Sequence, residues 1–220
     1  MRYLASTATS KRRAVAPSSR PSFTTSFAST ENPISDSGRF YKTTNWWAEV
    51  KTESGNAWGL NGPNNAFDDA YAIIAGATGD YELSATVFRD ASINTGTTHE
   101  IELNFNFKET DGGLGIRGME GLFAHDGNVQ CFIWTHGPDG DTNFVEKSSS
   151  AGAPDGIISN GSVIKARKVG SVLTLYKNDV LLGTFTDSTY TDGEAAIAFF
   201  TRPTGDSADF CISALTVTPL

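Results

Sequence analysis

Residues 98–108 read Thr-His-Glu-Ile-Glu-Leu-Asn-Phe-Asn-Phe-Lys, and their alternation decides the fold. Ile101, Leu103, Phe105 and Phe107 fall on one side, with Glu100, Glu102, Asn104 and Asn106 on the other. A period of two marks a strand with one face on a core. Tyr81–Arg89 repeats it, Tyr81, Leu83, Ala85 and Val87 opposing Glu82, Ser84, Thr86 and Phe88. The chain from Ser22 to Val217 breaks into similar short runs, cut by Gly, Asn, Asp and Pro clusters. No segment keeps a 3.6-residue apolar period for three turns, so helix is nearly absent. Lys177-Asn178-Asp179-Val180 predicts a tight hairpin, because Asn and Asp tolerate the positive φ that such turns require. The expected fold is all-β: a two-sheet antiparallel jelly-roll sandwich over residues 22–220, preceded by an extended N-terminal arm over 1–21.

Composition supports one packed domain and narrows the chemistry. Of 220 residues, 39% are hydrophobic and 14 are phenylalanine, enough for a real core. No apolar run approaches the ~18 residues of a membrane helix. The inward positions of Cys131 and Cys211 predict buried free thiols, bridged only if their strands are neighbours. His99, His125 and His136 lack metal-ligand spacing and a nucleophile context, and read as surface or turn residues. No Gly-rich phosphate loop opens a helix, so nucleotide binding has no support. No metal or cofactor is expected, although Asp139-Gly140-Asp141 could offer oxygens to a structural calcium ion.

Charge is distributed unevenly. Arg2, Lys11, Arg12, Arg13 and Arg20 lie in the first 20 residues, which hold no acid. The rest carries 12 basic against 25 acidic residues, a net −13. Such a body repels nucleic acid and anionic membranes, whereas the arm suits an acidic partner surface. The basic cluster follows a Ser/Thr-rich start with no apolar stretch behind it, which argues against Sec secretion.

Val129–Thr135 is the unusual strand. Val129, Cys131 and Ile133 suit a core face, which leaves Gln130, Phe132 and Trp134 on the nominally polar side. Either a loop covers those aromatics or they form a platform for the apolar face of a sugar. The turn Thr135-His136-Gly137-Pro138 puts Trp134 near the sheet rim, so Trp134 is expected partly exposed and Phe132 buried.

A run of landmarks carries a resemblance: THEIELNFNF at 98–107, NVQCFIWTHGPDGDTNFV at 128–145, NGSVIKARKVGSVLTLYKNDVLL at 160–182, FTDSTYTDGEAAIAFF at 185–200 and DFCISALTV at 209–217. Together they resemble the concanavalin A-like lectin/glucanase superfamily, in particular the laminin-G-like jelly rolls of phage and bacterial proteins. The resemblance implies the jelly roll and leaves three functions open, since enzymes, lectins and structural domains share this fold. Family 16 glycoside hydrolases of this superfamily carry a Glu-x-Asp-x-x-Glu strand motif. The nearest match here is Glu100-Ile101-Glu102-Leu103-Asn104-Phe105, where Glu102 replaces the Asp and the last acid falls on Asn104 or Phe105.

The expectation drawn from these residues is a non-catalytic, lectin-like structural protein of a phage particle, as a capsid decoration or tail-associated protein. Its arm residues Arg2, Lys11, Arg12, Arg13 and Arg20 would hold other virion proteins. A candidate glycan face consists of Glu100, Glu102, Asn104, Gln130, Phe132 and Trp134. The alternatives are a free-standing carbohydrate-binding module, a glycoside hydrolase or polysaccharide lyase of the same fold, and a cytoplasmic location.

Overall fold

The computed structural model describes residues 20–43, 47–60, 70–96, 98–110, 115–136, 142–149, 157–202 and 207–220. Its strands are β1 Phe23–Thr25, β2 Phe40–Tyr41, β3 Ala48–Glu53, β4 Asn56–Gly59, β5 Ala70–Thr78, β6 Tyr81–Arg89, β7 Thr98–Thr110 and β8 Gly115–Ala124. They continue as β9 Val129–His136, β10 Thr142–Ser149, β11 Val163–Val169, β12 Val172–Lys177, β13 Val180–Thr186, β14 Glu194–Arg202 and β15 Phe210–Pro219. All-β architecture is therefore the observed one.

Two sheets form the sandwich. The first runs β10-β9-β8-β7-β14-β5, with β2 on β5; the second runs β4-β15-β6-β11-β12-β13, with β1 on β15. Strand β3 joins them. Its start pairs with β5 (Ala48 with Ala70, Glu49 with Tyr71) and its remainder with β4. The β3–β5 pair is parallel, the one departure from antiparallel pairing among the described strands.

The alternation read from the sequence points where it should. Ile101, Leu103 and Phe105 of β7 face Leu83, Ala85 and Val87 of β6 and Leu173 and Leu175 of β12 through one core between the sheets. Asn178 and Asp179 adopt φ of 48° and 63°, the left-handed pair a two-residue hairpin needs. Cys131 and Cys211 are buried free thiols on β9 and β15, which lie in different sheets.

A bulge on β7 sets the geometry of the other face. The pairing with β8 shifts between Phe105 and Lys108, and Asn106 takes φ 50°. That extra residue turns Phe107 out of the central core, correcting its expected inward place. Phe107 instead joins a second buried cluster on the far side of the first sheet, with Trp47, Tyr71, Ile73, Ile116, Trp134, Ala196 and Ala198.

Most of the N-terminal arm lies outside the described residues. Arg20 is its described cation, and it binds the body itself. Its guanidinium donates to the carbonyls of Leu220 (3.0 Å) and Asp80, and lies 4.4 Å from the Tyr81 ring centre. Among the described residues no helix is long and apolar enough to cross a membrane.

Candidate functional site

The far face of the first sheet gathers all six residues chosen from the sequence. Pairing places Ala196, Asn104, Glu120 and Phe132 in one row across β14, β7, β8 and β9. The next row is Ala198, Glu102, Leu122 and Gln130, and Glu100 follows beside Ala124 and Phe200. Trp134 lies opposite Gly118 at the other end. Glu102, Asn104, Glu120 and Trp134 are buried, whereas Glu100, Gln130 and Phe132 are half-buried.

The two aromatics exchange their expected places. Trp134 is 1% exposed and stacks on Trp47, with ring centres 5.1 Å apart and planes at 28°; Phe107 meets it edge-on at 5.5 Å. The bulge that releases Phe107 onto this face supplies the cover that strand alternation alone does not show. Phe132 packs against the cluster and is itself half-buried.

Burial controls the carboxyl groups. Desolvation, then the neighbouring Glu102 and Asp126 charges, push the Glu100 carboxyl up to about 8. Desolvation pushes Glu102 up to about 7, opposed by a hydrogen bond from Asn104 Nδ2 to Glu102 Oε2 at 3.4 Å. The Asn104 carbonyl oxygen, wholly buried, has no hydrogen-bond partner among the described residues. It is an acceptor set among acids, and a hydroxyl or amine donor would satisfy it.

Glu120 completes this arrangement and was not singled out in the sequence. It alternates with Met119 and Gly121, so its outward face was legible, but its place opposite Asn104 depends on a register that alternation does not encode. The histidines also depart from expectation. His99 and His125 are buried at one end of the sandwich, edge to face at 5.4 Å, with Phe210 against His125. Arg89 ties that end together by donating to the carbonyls of His125 and Ile158. Desolvation holds both imidazoles below their usual range.

Among the described residues no three His, Cys, Asp or Glu side chains are arranged to hold a metal ion. The Asp139-Gly140-Asp141 loop lies outside the described residues.

No protein-family model matches the sequence, and no curated protein matches it. Its fold, in contrast, is shared with solved structures. Porphyranase B from Zobellia galactanivorans superposes with a TM-score of 0.54 at 9% identity, covering 89% of this chain and 91% of that one. The κ-carrageenase from Pseudoalteromonas carrageenovora, solved with an oligotetrasaccharide of κ-carrageenan, gives 0.53 at 9% identity over 96% and 99%. A β-porphyranase from the human gut bacterium Bacteroides plebeius gives 0.52 at 9% over 90% and 91%. The chain has the concanavalin A-like jelly-roll fold that these structures share. At this identity the likeness is one of fold.

Proposed function

We propose that this protein is a non-catalytic, lectin-like glycan binder whose site is the far face of the β7–β8–β9 sheet. The observation that carries the reading is the convergence on one face of a half-open ring (Phe132), an amide (Gln130) and a carboxyl (Glu100). The ring supplies an apolar platform for a pyranose, and the polar groups meet its hydroxyls. The carrageenase and porphyranases that share the fold, one of them held with an oligosaccharide, are consistent with a carbohydrate partner.

Catalysis is disfavoured by the same geometry. Double-displacement glycoside hydrolysis needs one ionised carboxylate and one protonated acid. Glu102 is only 1% exposed, so the pair lacks a nucleophile that a substrate can reach. Asn104, where the resembling motif offers one position for its last acid, has no proton to give.

The test is a calorimetric titration of the full chain with a panel of oligosaccharides, repeated on Phe132→Ala. Loss of a central stacking ring typically costs ~2 kcal/mol of binding or more. Binding by the parent that the variant retains in full would contradict the assignment.

The proposal also keeps the arm as the contact to other virion proteins, in a phage particle. Its support is the contrast between the arm cations Arg2, Lys11, Arg12 and Arg13, Arg20 being held by the body, and the net −13 remainder. Co-purification of the chain in fixed stoichiometry with intact particles tests it, and a free chain throughout lysate fractionation would refute it.

A further inference from the structure

At the Glu100 end of the candidate face, His99 and His125 form a buried pair to which glycan binding assigns no task. His99 is the second residue of β7, and His125 lies in the turn between β8 and β9, with Phe210 of β15 edge-on to its ring at 6.2 Å. Both nitrogens of His99 and Nδ1 of His125 are buried without a hydrogen-bond partner among the described residues. Two imidazoles therefore pack here as neutral, nearly apolar rings.

The surroundings oppose a proton on either ring. Burial is the largest influence and holds both below their usual range. At His99 the neighbouring His125 and Arg89 add to it, while Asp209 and the Asn94 backbone pull the other way. At His125 Arg89 adds to it, while Asp126 and the His99 backbone oppose. The Arg89 guanidinium donates to the carbonyls of His125 and of Ile158 (3.0 Å), so a cation already stands beside the pair. The other charged groups nearby are turned elsewhere. Asp90 accepts from the Ser92 N–H and hydroxyl, Lys177 donates to the Ile157 carbonyl at 2.5 Å, and Glu100 lies on the opposite face of β7. A proton on either ring makes a second buried cation, which the closed packing disfavours.

The same turn positions a sugar-facing amide. Ala124 N–H donates to the Asn128 carbonyl at 2.8 Å and Gly127 N–H to the Ala124 carbonyl at 3.0 Å, which closes the turn around His125. Asp126 accepts from the Asn128 N–H at 3.0 Å, and Asn128 Nδ2 donates to Gln130 Oε1 at 2.9 Å. His125 fastens the turn to its neighbours. Its N–H donates to the His99 carbonyl at 3.0 Å, and its carbonyl accepts from Arg89 and from the Ile158 N–H at 3.4 Å. Displacing His125 loosens the support of Gln130, and Glu100 follows directly on His99.

We propose that the His99–His125 pair is an acid-sensitive latch on the glycan face, which opens when either ring takes a proton, frees the 124–128 turn and weakens sugar binding. The latch rests on packing; its effect on affinity rests on the glycan-binding reading. Both rings bind a proton more weakly when closed, so acid favours the open form. Glu100 and Glu102 bind protons more tightly in the folded chain, so acid acts on them in the opposite sense. Loosening of this end on acidification belongs to the histidines.

The test follows the ¹⁵N-labelled full chain by NMR from about pH 7 to about pH 5, across the histidine range, in the parent and in His99→Gln/His125→Gln. In the parent the ring signals should titrate together with the backbone amides of 124–128 and the Gln130 side-chain amide. In the double variant those amides should stay fixed. A panel of cellohexaose, laminarihexaose and agarohexaose is then titrated at both pH values. The parent should lose about tenfold in affinity at the lower pH, as when the closed form falls to about a tenth of the population, and the double variant less than about twofold. If the double variant melts early, the ring and amide titrations of the parent decide. Rings that titrate without moving 124–128, or a double variant that keeps the parent's pH dependence, overturn the latch. A moving turn with equal affinity at both pH values overturns the regulation. A moving turn in a chain that binds none of the panel at the higher pH keeps the latch and removes the glycan reading.

Discussion

Trp134 of β9 lies flat against Trp47, ring centres 5.1 Å apart, on the side of the sheet away from the central core. The contact closes one end of the carboxyl-bearing face and leaves Phe132 as its partly open ring. Trp134→Ala should lower stability by ~3–5 kcal/mol, as large-to-small changes at buried aromatics do. Thermal unfolding followed by circular dichroism checks this. An unchanged melting temperature would mean that the two indoles do not pack.

Buried carboxyls and buried imidazoles pull the pH profile in opposite directions. The folded state raises Glu100 from 4.5 to about 8 and Glu102 to about 7. Their contribution is full below about pH 4.5 and is lost as pH rises through 7 to 8. His99 and His125 are held below 6.5, so theirs is present above that value and lost as pH falls. The two trends oppose each other between about pH 4.5 and 6.5, and above 6.5 the carboxyl loss acts alone, so stability should fall from about pH 6.5 to 8. Glu102→Gln should flatten the decline on the alkaline side, measured as melting temperature against pH; an unaltered alkaline limb would contradict the carboxyl assignment.

The bulge carries a third prediction. Gly193 has φ 131° and no space for a Cβ against the Asn106–Phe107 backbone. Gly193→Ala should cost ~2 kcal/mol or more from the strained backbone and displaced neighbours. It should also free Asp192 from its ion pairs with Lys108 and Arg117. Denaturant unfolding gives the first quantity and Lys108 NMR signals the second; a variant as stable as the parent would show that the loop adapts.

Truncation separates arm from body. Arg20 bonds to the Leu220 and Asp80 carbonyls of the sandwich, whereas residues 1–19 contain few core-forming side chains. Removing 1–19 should leave cooperative unfolding intact within ~3 °C, while loss of the transition would make the arm part of the fold. Scanning calorimetry of the two forms distinguishes these outcomes.

Much of the fold was legible because period-two alternation is local. β6 begins at Tyr81 and ends at Arg89, as its alternation predicts. Asn178 and Asp179 announced their turn through their tolerance of positive φ. The short β2 at Phe40–Tyr41 escaped notice, since two residues carry no period. The candidate face was legible as a set of outward residues, but its assembly was not. Glu120 stands opposite Asn104 through inter-strand register, and Trp134 is buried by Trp47 and Phe107 from distant segments. Such facts are written in tertiary pairing, and the bulge at Asn106 reversed a side-chain direction that alternation had assigned.

The central claim is that a sugar lies on the face formed by Glu100, Gln130 and Phe132. Chemical-shift mapping of the ¹⁵N-labelled full chain, titrated with the tightest-binding oligosaccharide, tests it most directly. The account predicts that shifts centre on the amides of 100–104, 118–122 and 130–134, and that the β11–β13 sheet stays silent. Shifts confined to that second sheet, or none at saturating sugar, would contradict it.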